Sequence, residues 1–371
     1  MKVLVAGDFC PRDRVATSFE KEDYSSILRE VRAVNSQVDY SIVNFECAII
    51  GEGTKPISKI GPLRSSRENG AKALLWSGFN CVTLANNHFY DYGEEGVRMT
   101  LDVCKKYGID TVGGGMNIDE ASTILYRNVA GKILAVVNCC EHEFSIATKS
   151  RGGSNPLNPV RQYYAITEAK SKADYVLVIV HGGHEFFQLP SPRMVETYRF
   201  FIDTGADAVV NHHQHCYSGY EIYNGKPIFY GLGNFCFDNP VKHEGTWTKG
   251  YMVTLEFGNC YPLFVIHPYI QCAESPCVEL LQPDAFDDSL KDINRIIENP
   301  DSLEQEIDSF YAINSDSHAN IFEPVTCRYY LASKRRGWLP SLISDVKKLK
   351  AKNYIYCESH RDILQYWLDH K

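Results

Sequence analysis

Residues 175–185 read Tyr-Val-Leu-Val-Ile-Val-His-Gly-Gly-His-Glu. The apolar run is short, rich in Val, and bounded by Asp174 and two glycines, which is the pattern of a strand covered on both faces. It ends abruptly on His181, an imidazole delivered at a strand terminus. Working outward, the same grammar recurs. Lys2–Gly7 is followed by Asp8, Tyr40–Phe45 by Glu46, Cys81–Ala85 by Asn87 and His88, and Ala208–Val210 by His212, His213 and His215. Ile133–Asn138, Pro227–Tyr230, Tyr251–Phe257 and Leu263–Ile270 read as further strands. The last two are expected to form a sheet edge that closes the domain. Helices are expected between strands. Gly93–Tyr107 places Val97, Leu101 and Cys104 on one face. Pro192–Thr204 does the same with Met194, Tyr198, Phe201 and Ile202, with Ser191 as cap and Gly205 as stop. Strand–helix alternation predicts an α/β fold of layered sheets flanked by helices, with its site at the strand ends.

The chain has 371 residues and a formal charge of −8. Its composition is that of a globular protein, and its acidity argues against nucleic acid as a partner, because phosphates must be neutralised by Lys and Arg. The apolar run at the amino terminus stops at Gly7, too short for a signal peptide, and no stretch reaches the ~18 apolar residues of a membrane span. The 13 cysteines contain no C-x-x-C pair, so free thiols in a reducing, cytoplasmic setting are expected. Residues 1–272 read as one α/β domain. Residues 273–371 read as a mainly helical extension, first acidic and then basic around Lys334–Arg336, a candidate surface for a homo-oligomer or a biosynthetic partner.

Five strand ends thus present oxygen or nitrogen ligands at one edge, and six of the 12 histidines fall in these strings. Carboxylate and imidazole together suit Mn, Fe or Zn. A shared carboxylate can hold two such cations close enough to act on one displacement. In His213-x-His215, alternate residues of an extended chain point to one side and can aim at one cluster. A neighbouring His outside the ligand set is free to act as general acid.

The strings VAGDFC, VNFECAI, LANNHFYDYGEEGVRMTL, VIVHGGHEF and the run FIDTGADAVVNHHQHCYSGYEIYNGKPIFYGLGNFCFD resemble the CapA family, the poly-γ-glutamate capsule biosynthesis proteins of the calcineurin-like metallophosphoesterase superfamily. The resemblance covers residues 3 to 238. It implies one or two divalent cations held by Asp8, Glu46, Asn87, His181, His213 and His215, with Glu46 in the bridging position. It implies His88 as the group that protonates the leaving group, and Asp91 as its partner in N-H-x-x-D. Asp91 and Glu94 also have the spacing of a capping box for the following helix. Arg12, Arg14, His184, Glu185, His212 and Asn234 are candidate substrate contacts. Cys10 stands where the superfamily often has a metal-binding His, which leaves the first cation site one ligand short.

The resemblance therefore implies a hydrolase in which a metal-bound hydroxide attacks a phosphoester of a small anionic or polymer-derived substrate, in capsule or exopolymer biosynthesis. Two alternatives share the scaffold: an accessory subunit of a polymer synthase, and an amide (γ-glutamyl) hydrolase.

Overall fold

The structure is a computed structural model that describes residues 1–239, 241, 244–258, 261–319, 329, 333, 336–339 and 344–370. Of the basic run expected at 334–336, only residue 336 lies within the described residues.

Two sheets stack face to face. The first has the strand order Val278–Leu280, Leu263–Gln271, Lys249–Glu256, Lys2–Phe9, Tyr40–Phe45, Cys81–Thr83, Asp110–Val112. From Lys2–Phe9 onward its neighbours run parallel, and the other three strands are antiparallel. The second sheet runs Tyr220–Tyr223, Lys226–Phe229, Ala208–His212, Tyr175–His181, Lys132–Cys140, Leu125–Val129, with parallel pairs in the middle and a hairpin at each edge. The layered α/β class expected from the sequence is what forms.

Strand periodicity decides where each side chain goes. In the first strand Val3 and Val5 enter the core between the sheets, together with Val136, Leu177 and Val209. Leu4 and Ala6 point the other way, onto a second core shared with Ile27, Leu28, Leu74 and Val97 of the covering helices. Both faces are buried, so the run reads as continuously apolar. The helix Pro192–Thr204 forms as expected, with Ser191 accepting from the Met194 N–H and Gly205 at φ 131° ending it. The late strands differ from expectation. Lys249–Glu256 sits inside the sheet beside Lys2–Phe9, and the edge is taken by Val278–Leu280.

Helix Asp287–Glu298 packs on Tyr220–Tyr223 of the second sheet, and Pro300–Ala319, Glu358–His370 and Asp345–Tyr356 pack in turn on it and on one another. Buried Glu141 accepts from Arg193 Nη2 at 2.9 Å and from Ser359 Oγ at 2.5 Å. Arg193 also reaches Asp362 at 2.9 Å. The His142 ring and backbone N–H both meet the Glu358 carboxylate, at 2.6 and 2.8 Å. Phe187 stacks on Phe310 at 4.3 Å and Tyr217 on Phe286 at 4.6 Å. No helix among the described residues is long and apolar enough to cross a membrane.

Candidate metal centre

The carboxyl ends of the parallel strands of both sheets meet at one point. Asp8 lies at the end of the first strand, where the pairing with Tyr40–Phe45 shifts register between Ala6 and Asp8. The segment around Asn234 is laced to this end. Asp8 N–H donates to the Gly233 carbonyl and Phe235 N–H to that of Asp8. The close approach requires Gly7, since an added Cβ would overlap the Gly233 carbonyl oxygen. Glu46, Asn87, His88, His181, His213 and His215 follow or end the neighbouring strands, and all are buried.

Two ligand groups form around a shared carboxylate. Potential ligand atoms of Glu46, His181 and His213 lie within 4.8 Å of one another, as do those of Asp8, Glu46 and His215. Glu46 Oε1 is 3.7 Å from His181 Nε2, 3.6 Å from His215 Nε2 and 3.8 Å from His88 Nε2. These spacings are too long for hydrogen bonds. They are close to the roughly 3–3.5 Å that separates two ligands each ~2.1 Å from one cation. Both oxygens of Glu46 are buried and lack a hydrogen-bond partner, a costly arrangement unless a cation occupies it. Asn87 Oδ1 and His213 Nδ1 each lie 3.1 Å from His181 Nε2, which adds the amide oxygen to that group.

The electrostatics point the same way. Burial, then the Asp8 charge, pushes Glu46 well above the usual carboxylate range. Burial raises Asp8 to about 6 against the help of Asn44. Burial and the mutual proximity of the imidazoles hold His181 far below its ordinary value, and burial holds His215 at about 4. Neutral imidazoles beside strained carboxylates are a ligand set ready for positive charge.

Positioning groups surround the ligands. Asn44 Nδ2 donates to Asp8 Oδ1 at 2.7 Å and lies 3.2 Å from His181 Nδ1. Thr83 and Asn86 donate to Asn44 Oδ1 and fix that amide's orientation. Asn234 Oδ1 takes the Nδ1–H of His215 at 2.8 Å, leaving Nε2 as the lone pair toward Glu46. Asn234 thus stands behind a ligand.

His88 Nδ1 is 2.6 Å from Asp91 Oδ2. Asp91 also accepts the Arg64 N–H at 2.7 Å and the Lys59 ammonium at 2.5 Å. Its carboxylate is fully used there, so the capping-box reading fails. The following helix begins after Tyr92 with no side-chain cap. The extended-chain reading of His213-x-His215 fails as well. The strand ends at His212, and the two residues converge through left-handed backbone at φ 99° and 55°.

The remaining candidates divide. His184 and Glu185 line a cavity of about 300 Å³ with Lys59, Asn87, His88 and His213. His184 Nε2 also meets Tyr311 Oη at 3.2 Å. His212 is buried with its Nδ1 3.6 Å from Asp8 Oδ1. Arg14 is spent on the Asp238 carboxylate and the carbonyls of Cys272, Ala273 and Glu274, so it pins the chain beyond the domain core. Arg12 pairs with adjacent Asp13 at 2.6 Å. Cys10 is buried against the Cys47 thiol and belongs to neither ligand group.

Sequence reasoning missed Lys59 and Glu143. Lys59 stands in an irregular segment with no periodicity to mark it. Asn44 did carry a signal, an amide inside an otherwise apolar strand.

Layered sheets that gather carboxylates and imidazoles at their strand ends define the class, an α/β protein with a candidate metal centre at one end of both sheets. A family model, bacterial capsule synthesis protein PGA_cap, matches residues 2–239, and the chain belongs to that family. It is 33% identical over 246 residues to capsule biosynthesis protein CapA of Bacillus anthracis, covering 64% of this chain and 60% of that one. It is 34% identical over 236 residues to PGA biosynthesis protein CapA of Bacillus subtilis (strain 168), covering 62% of each. The match thus spans about three-fifths of the length of these relatives. A probable polyglutamine synthesis accessory protein of Mycobacterium tuberculosis is 28% identical over 213 residues, 54% of this chain and 56% of its own. Among solved structures, a putative 5'-nucleotidase from Staphylococcus aureus aligns with TM-score 0.43 and 16% identity, over 79% of this chain and 58% of its own. A hypothetical protein from Thermus thermophilus aligns at 0.45 and 16%, over 75% and 100%. At these scores the structural likeness carries no weight.

Proposed function

We propose that this chain is a metal-dependent hydrolase that cleaves a phosphoester in capsule or exopolymer biosynthesis. The observation that carries the reading is the Glu46 carboxylate, buried without a partner among three imidazole nitrogens. Asp8, Glu46 and His215 would hold one divalent transition cation, and Glu46, Asn87, His181 and His213 a second. When bound, such a pair activates water at neutral pH and neutralises charge developing on a phosphoryl group.

The chain's own residues supply the rest. His88 turns its Nε2 toward the centre while Asp91 holds its Nδ1–H, which sets the tautomer and favours the imidazolium. Burial and then Lys59 push His88 down to about 4. An anionic substrate seated beside Lys59 reverses that balance, and His88 Nε2 delivers the proton to the leaving oxygen. Lys59, a buried ammonium 3.2 Å from His88 Nδ1, offsets the substrate's charge. The docked helices line one side of the cavity with Phe310, His318, Tyr354 and His360.

The test is hydrolysis of a panel of phosphomonoesters, phosphodiesters and γ-glutamyl peptides by the metal-reconstituted chain. Phosphoester turnover abolished by chelation is expected. Turnover confined to γ-glutamyl peptides would replace this reading with amide hydrolysis, and none on any substrate would favour an accessory role. Lys59→Met is expected to lower kcat/KM for the preferred phosphoester about 10–100-fold, the loss of one charge-assisted contact. Metal content should be unchanged, and an unaltered kcat/KM would remove Lys59 from the substrate site.

A further inference from the structure

The docked helices bring a second kind of ligand set to the cavity. A carboxylate oxygen of Glu143, the thiol sulfur of Cys357 and a ring nitrogen of His360 lie within 4.8 Å of one another. Glu143 precedes the strand of His181 in sequence, whereas Cys357 and His360 belong to the tail beyond the family match at residue 239. All three line the same cavity as Asn87, His88 and His213.

Three features make this a built site. Cys357 is buried and occupies the position just before helix Glu358–His370, where the backbone N–H of His360 points at its sulfur. Burial and then the Glu143 and Glu141 carboxylates push the Cys357 thiol well above its usual value, and the His360 N–H only partly opposes them. Carboxylates surround that sulfur, with Glu141 Oε2 4.0 Å away and Glu143 within the cluster. Only a cation bound by the cluster would displace that proton and make a thiolate favourable there.

The third feature is a histidine relay. His318 Nδ1 lies 3.0 Å from the Asn314 carbonyl, which can only accept, so Nδ1 carries the proton. His318 Nε2 is therefore an acceptor, and it lies 3.0 Å from His360 Nδ1, which must donate. His360 is left neutral with its other ring nitrogen as a lone pair. Metal-ligating histidines are commonly fixed this way, with the second nitrogen donating to an outer partner.

We propose that Glu143, Cys357 and His360 form a third cation site, for a borderline-soft divalent ion of the Zn²⁺ class, in the roof of the cavity. Thiolate, imidazole and carboxylate together select such an ion over Mg²⁺ or Ca²⁺. Three protein ligands leave a coordination position open for water or an anionic group of the bound substrate. Glu143 joins the two centres, since its Oε1 is 3.8 Å from His213 Nε2 and accepts from Asn87 Nδ2 at 3.4 Å.

The test is titration of the full chain with Co²⁺, read by the thiolate-to-cobalt charge-transfer absorption. The wild type is expected to develop this band with saturation at one thiolate-bound ion. Glu46→Gln should retain it, so failure of the Glu46 centre and failure of this site are distinguishable. Cys357→Ser should lose the band while keeping its fold by circular dichroism. His318→Phe keeps a ring beside Tyr354 but breaks the relay, and should weaken Co²⁺ affinity at this band about 10–100-fold. A wild type that binds Co²⁺ without the band, or a band that survives Cys357→Ser, overturns the proposal. Should Cys357→Ser not fold, an unchanged affinity in His318→Phe overturns it equally.

Discussion

His88→Asn is expected to lower turnover about 10²–10⁴-fold, the usual worth of a positioned proton donor, with metal content unchanged. His88 belongs to neither of the Glu46 ligand groups. Its Nδ1 is committed to Asp91 at 2.6 Å, and its Nε2 faces the centre from 3.8 Å. Asn preserves a polar side chain but cannot carry a proton to the leaving oxygen. A leaving group that needs no protonation should regain most of the rate, which a merely structural His88 would not allow. Loss of bound metal from the variant, or turnover within a few-fold of wild type, would remove His88 from the acid role.

Arg193→Met is expected to cost about 3–5 kcal/mol, because it leaves a buried carboxylate without its cation. Arg193 lies between Glu141 and Asp362, 2.9 Å from each, and ties the last helix to the second sheet. Burial alone would raise Glu141, but Arg193 and Ser359 outweigh it and hold the group at about 2. A depressed folded value means stability that is fully present above the ordinary glutamate value of ~4.3 and fades as pH falls toward about 2. In the wild type the docked helices should therefore resist proteolysis at neutral pH and loosen in acid. In the variant they should be cut at neutral pH, and the denaturation midpoint should fall. An unchanged midpoint and protease pattern would show that the apolar contacts of Phe187 with Phe310 and of Tyr217 with Phe286 suffice to dock them.

Local physics made much of the fold readable. Tyr40–Phe45 and Pro192–Thr204 form with the bounds their residues suggest. An uninterrupted apolar run, or a cap and a stop around a 3.6-residue pattern, is written within a dozen neighbouring residues. Asp8, Glu46 and His181 were visible for the same reason, as polar residues at the end of buried strands. What stayed hidden depends on contacts distant in sequence. Asp91 has the spacing of a helix cap, yet Lys59, Arg64 and His88 claim its carboxylate. His213 and His215 converge because the chain turns left-handed after His212, which H-x-H spacing does not encode. Arg14 beside the first motif resembles a substrate contact until Asp238 is brought against it. The proximity of Glu143 to Cys357 and His360 exists only once the tail has docked.

The most direct test of the account is elemental analysis of wild type and Glu46→Gln, each reconstituted with Mn, Fe or Zn and measured per chain. Glu46 belongs to both ligand groups and is their only shared member among the described residues. The variant is expected to hold about two equivalents fewer than wild type, because one carboxylate serves both cations. Equal metal content in the two proteins, or essentially none in wild type after reconstitution, would contradict it.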